Sequence, residues 1–132
     1  MKRLLTTLVT LFVLSVSVFA QEYTFRANKA NGALYNNYTE KYEWGYVQPT
    51  DVEIKLYSST GQMVIFSQTP QFFNLMETFT FPIFSSYLGS EKRYTARDAN
   101  NVGCIVSFVR NQQGECWIFI IYADIALTYK VS

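Results

Sequence analysis

The chain has 132 residues, with 11 Lys+Arg against 10 Asp+Glu, two Cys and no His, so its formal net charge is +1; 17% of residues are aromatic and only 16% charged. The lack of His excludes Ser–His and Cys–His nucleophile pairs, His-ligated zinc and His-ligated haem, and two Cys are too few for a disulfide scaffold or a four-thiolate metal site. Near-neutral charge lacks the footprint of a nucleic-acid binder, while 49% apolar composition excludes disorder over most of the chain.

The N-terminus has the pattern of an export signal. Lys2 and Arg3 precede an apolar run over residues 4–18, and Val18-Phe19-Ala20 places fairly small residues where a signal peptidase reads. The expected division is a signal peptide over 1–20, cut after Ala20, and a single domain over 21–132, secreted or periplasmic. About 17 residues rich in Thr and Ser are marginal for a ~30 Å bilayer core. Gln21-Glu22-Tyr23 supplies no stop-transfer cations, so no membrane span is expected after cleavage. The mature chain would carry 9 basic and 10 acidic residues, enough length for one core without metal or staples.

Along the mature chain the dominant period is two. Residues 23–26 have the pattern of a short strand. Residues 28–37, with Asn31-Gly32, have that of a loop. Residues 41–47 place Tyr42, Trp44 and Tyr46 on one face of a strand. Residues 51–57 alternate cleanly, with Val52, Ile54 and Leu56 on one side and Glu53, Lys55 and Tyr57 on the other. A turn over 58–61, with Gly61 free to take positive φ, leads to a return strand over 62–68. Residues 69–88 admit two readings. Thr69-Pro70 could start a short helix carrying Phe72, Leu75, Met76 and Phe79. The favoured reading is an edge strand over 77–83, where Phe79, Phe81 and Ile83 alternate with polar residues and Pro82.

The C-terminal third predicts a meander of strands over 92–98, 102–110, 115–122 and 126–131. Cys116 to Tyr122 has no polar alternation, so it is expected to be a central strand covered on both faces, with Ile118 and Phe119 pointing oppositely and both buried. The fold class is therefore all-β: a small antiparallel barrel or sandwich of seven to nine short strands, with at most one short helix.

A four-residue turn over 111–114 would pair Arg110 with Glu115. Cys104 and Cys116 then lie on opposite faces, ~16 Å apart along the strands, and a one-residue slip restores the face but not the proximity. No disulfide is expected. Without His, neither thiol has an activating base.

Carboxylates offer the only acid–base chemistry. Asp51 and Glu53 share a strand face ~7 Å apart, but Lys55 and Tyr57 continue that face, as on a solvated strand. Glu40 and Glu43 are three apart. Asp98, Asn100 and Asn101 lack the spacing of a calcium loop and fit an Asx turn. No catalytic residue, metal ligand or cofactor is expected, and the chain is not read as an enzyme.

The aromatics are the informative feature. Tyr35, Tyr38, Tyr42, Trp44 and Tyr46 crowd twelve residues, and between Leu56 and Ser90 only Glu77 is charged, in a stretch holding Phe72, Phe73, Phe79, Phe81 and Phe84. Exposed, such rings stack on sugars or anchor a protein partner; turned inward, they are core. These ten residues form the expected binding set. The expected function is an exported, non-catalytic binding or adaptor module for a protein or glycan. The alternatives are a small barrel carrying an apolar small molecule and a structural or assembly subunit. A homo-oligomer is compatible with the neutral stretch. Asn37-Tyr38-Thr39 is a glycosylation sequon only where the source glycosylates.

Overall fold

The structure is a computed structural model and describes residues 22–132; the expected signal peptide, residues 1–20, lies outside them. The described residues form nine strands and no helix: β1 (Glu22–Asn36), β2 (Lys41–Trp44), β3 (Gln48–Tyr57), β4 (Gln62–Phe66), β5 (Gln71–Leu75), β6 (Ser90–Asp98), β7 (Gly103–Arg110), β8 (Cys116–Ile121) and β9 (Ile125–Val131). They pair antiparallel in the order β2-β1-β3-β4-β5-β6-β7-β8-β9, and β1 also pairs with β9. That last pairing closes eight strands into a barrel, which removes their free edges. Only β2 stands outside the ring, laid along the far half of β1.

An eight-stranded barrel has a lumen about wide enough for its own side chains. Ile54, Leu56, Met63, Ile65, Val106, Ile118 and Ile120 point inward and are sealed from solvent, with Phe73 and Phe108 beside them. Tyr129 on β9 crosses the lumen, where its hydroxyl accepts a hydrogen bond from Gln71 Nε2 on β5 at 3.2 Å. Three strands separate β9 from β5 in either direction round the ring.

The turns have local causes. Glu40 N donates to Asn36 O and Gly61 N to Tyr57 O, closing two four-residue turns that each end in a left-handed residue, Glu40 (φ 56°) and Gly61 (φ 69°). The turns over 99–101 and 112–114 have three residues, end in left-handed Asn101 (φ 63°) and Gly114 (φ 81°), and are headed by Asx side chains. Asp98 Oδ1 accepts from the N–H of Asn100 and Val102. Asn111 Oδ1 accepts from those of Gln113 and Glu115.

Four expectations need correction. Residues 28–37 are strand, because β1 is held on both sides, by β9 and by β3 or β2, with its register shifting between Ala27 and Lys29. The strand expected over 41–47 stops at Trp44, and Tyr46 lies beyond it. Neither a helix from Thr69 nor a strand over 77–83 forms. β5 occupies 71–75, and 76–89 is an irregular cover over one barrel end that buries Phe79 and Ile83. Side chains replace its missing ladder: Lys92 Nζ donates to Thr80 O and Pro82 O, Tyr94 Oη accepts from Thr80 N, and Arg110 Nε donates to Ser85 O.

The fourth correction concerns register. Arg110 pairs with Cys116, not Glu115, because left-handed Gly114 closes a three-residue turn inside Asn111 and Glu115. Cys104 and Cys116 therefore share the inner face rather than opposing it. They remain about six residues apart, ~20 Å along the strands, and both are free thiols.

Candidate binding site

β7, β8 and β9 give the barrel an apolar outer flank. Beyond β9 the ring continues into β1 and β3, which carry ion pairs instead: Arg26 with Asp51 and Glu53, and Lys55 with Glu22 and Glu53. On β8 the outward positions are Trp117, Phe119 and Ile121, all half-buried, and β7 adds Ile105 and Val109. The registers set out this surface as rungs. Asn31, Thr128, Phe119 and Ser107 form one; Ala33, Ala126, Ile121 and Ile105 form the next.

β2 brings the second tryptophan to this surface. Trp44 pairs with Ala33, and its ring meets Phe119 edge-to-face at 5.7 Å and 83°. Ala33 and Ala126 lie between them, outward-facing yet buried; larger side chains there would hold the rings apart. The β2 face is fixed by its neighbours. Tyr42 packs edge-on against Tyr35 at 5.2 Å and donates its hydroxyl to Tyr122 O.

The result is an open groove of about 320 Å³ lined by Asn31, Trp44, Val109, Asn111, Glu115, Trp117, Phe119 and Thr128. It holds both tryptophans of the chain. Its one charged lining residue, Glu115, is bound by Lys130 Nζ at 2.9 Å and by Asn111 Nδ2 at 3.0 Å. Lys130 foremost, then Asn111, holds its carboxyl down at about 2. Thr128 Oγ1 donates to Ile118 O, and Asn31 Oδ1 accepts from Gly32 N.

The ten expected binding residues are divided by the fold. Trp44 lines the groove, with Tyr42 and Tyr35 behind it. Tyr38 and Tyr46, at 98% and 91% exposure, stand away in turns, and Phe72 is exposed on β5. Phe73 and Phe79 are buried core, while Phe81 and Phe84 pack against it. Phe81 stacks on Tyr23 at 3.9 Å and Phe84 meets Phe108 edge-on, so these four are engaged in packing away from the groove, with Phe81 and Phe84 only partly buried. Trp117, Phe119, Asn31 and Asn111 were not anticipated. For Trp117 and Phe119 the trace is the unbroken apolar run of β8, which predicts cover on both faces; the outer side is covered only in part, by Trp44.

The acid–base candidates are engaged structurally. Asp51 and Glu53 are tied to Arg26 and Lys55. Glu43 accepts from Asn36 Nδ2. Asp98 is held below the usual carboxylate range by the Val102 N–H and by the Tyr122 hydroxyl, which donates to its Oδ2 at 2.9 Å. Burial pushes the Cys104 thiol up to about 11, the opposite of a nucleophile's requirement. Among the described residues no group of three or more His, Cys, Asp or Glu is placed to hold a metal ion. No protein-family model, curated protein or solved structure matches the chain.

Proposed function

We propose that this chain is an exported, non-catalytic binding module that engages a protein or glycan through the groove on the outside of its barrel. The observation that carries this reading is the convergence of Trp44 and Trp117, from strands distant in sequence, on one open surface beside Phe119. Large aromatic rings left partly exposed around a depression are what recognition surfaces use. Export rests on the basic and apolar N-terminus. The outer face, with Arg26, Glu53, Lys55 and Arg93, and the apolar interior are the reverse of a lipid-embedded barrel, which supports a role outside the bilayer.

The filled lumen weighs against the carrier alternative, since the Tyr129–Gln71 bridge occupies the space a ligand would need. An assembly subunit would pair through the free edge of β2. That edge is four residues long and carries Lys41 and Glu43, the features that blunt edges.

The experiment is a comparison of two immobilised baits, the mature chain and its Trp44→Ala/Trp117→Ala variant, against one panel of glycans and extracellular proteins. The reading expects a ligand held by the first and lost by the second. Ligands held equally by both would place binding elsewhere and overturn it.

A further inference from the structure

We infer that the groove takes a neutral oligosaccharide, an inference that rests on the groove being the binding site proposed above. Size argues first. A volume of about 320 Å³ is at the small end of small-ligand sites, whereas a stable protein partner covers roughly 800 Å² of each surface. The arrangement of rings argues next. Trp117 and Phe119 stand two residues apart on one face of β8, so they form a strip ~7 Å long. Trp44 rises beside that strip, its ring nearly perpendicular to Phe119. A floor and a wall of aromatic carbon suit a pyranose, whose C–H faces are apolar and slightly positive against the electron-rich ring face.

The polar groups fit the rest of a sugar. Asn31 uses its Oδ1 on Gly32 N, and among the described residues its Nδ2 donors meet no protein acceptor. Glu115 and Lys130 sit side by side at 2.9 Å, an acceptor next to a donor, which is the complement of a vicinal diol. Because these two charges cancel, the rim selects neither an anion nor a cation. A purely apolar ligand would leave the Asn31 Nδ2 donors without compensation for the water they lose.

The test is titration of the mature chain, followed by tryptophan emission, with neutral cello-, xylo-, manno- and chito-oligosaccharides and with acidic oligogalacturonates. Only Trp44 and Trp117 emit, and both line the groove. A saturable response to at least one neutral series is expected, weakened about tenfold or more in Trp44→Ala and in Trp117→Ala. Asn31→Asp, which keeps the Oδ1 acceptor of Gly32 N and removes only the Nδ2 donors, should weaken it by a smaller factor without moving the thermal midpoint, which separates lost contact from lost fold. A saturable response from acidic oligosaccharides alone, or silence from every neutral series up to about 10 mM, overturns the inference. If the paired baits meanwhile retain a groove-dependent ligand of another class, the binding reading stands. A neutral saccharide bound equally by both tryptophan variants overturns the two together.

Discussion

Trp44 and Phe119, 75 positions apart in the chain, meet edge-to-face at 5.7 Å on the outside of a closed barrel. The contact ties the one strand outside the ring to the strand that runs between β7 and β9. It also explains why β8 can be apolar on both sides. Its inner side fills the lumen through Ile118 and Ile120, and its outer side is shared between Trp44 and a groove.

The two sides of β8 should therefore respond differently to truncation. Ile118→Ala leaves a cavity in a packed lumen and is expected to cost ~2–5 kcal/mol, a large part of the ~5–15 kcal/mol a domain of this size holds. Phe119→Ala removes a half-exposed ring and leaves no sealed void, so its cost should be smaller, about 1–2 kcal/mol. Urea denaturation of the two variants beside the parent measures the difference. Equal losses would mean that the outer face is as fully packed as the inner one.

Glu40 sits at φ 56° at the end of the turn between β1 and β2, a conformation that costs a residue with a Cβ roughly 1–2 kcal/mol and glycine almost nothing. Glu40→Gly is expected to stabilise the fold by ~0.5–1 kcal/mol, read as a higher urea midpoint, once the extra freedom of glycine in the unfolded chain is set against it. Asn101→Gly should gain less, since Asn tolerates this region. A destabilised Glu40→Gly variant would contradict the turn.

The Glu115 carboxyl, held at about 2 by Lys130 and then Asn111, sets a pH window. A carboxylate whose folded pKa is depressed contributes stability that is fully present above its unfolded value, near 4.5, and is lost as pH falls towards 2. The parent should therefore lose stability on acidification through that interval more steeply than Glu115→Gln, most clearly at low salt because the pair is only partly shielded from solvent. Parallel stability–pH curves for the two proteins would show that the Glu115–Lys130 pair contributes nothing.

Cys104 and Cys116 lie on one inner face, ~20 Å apart along the strands. Denatured, unreduced protein should label at two thiols. In the native state Cys104 should label far more slowly, being buried with its thiol pushed up to about 11. An intrachain bridge found by mass spectrometry would be incompatible with the β7–β8 register.

Strand identity was legible wherever alternation or turn chemistry was local. Ile54 and Leu56, the turn ending in Gly61 and the meander from β6 to β9 all follow from the nearest few residues. What was not legible depends on long-range pairing. Asn31-Gly32 has the look of a turn, yet it is strand because β9 holds it. Phe79 and Ile83 are core although no ladder contains them, because Lys92 and Arg110 satisfy the carbonyls around them. The register between Cys104 and Cys116 turned on one residue, and Gly114 was the available clue: a glycine closing a three-residue turn reads differently from one inside a four-residue turn. Of the groove, Trp44 was visible as one of the aromatics crowded between Tyr35 and Tyr46, on a strand face that could equally be core. Trp117 was hidden, since an apolar run does not reveal which side remains uncovered.

The most direct test of the central claim is a two-dimensional ¹⁵N spectrum of residues 21–132, recorded as a ligand identified with the paired baits is added. Two tryptophans give two indole N–H resonances. Both should move together and saturate, with the backbone amides of Phe119 and Thr128, while those of the lumen residues Met63, Ile65 and Phe73 stay in place. Stationary indole resonances with shifting lumen amides would contradict the account and place the ligand inside the barrel.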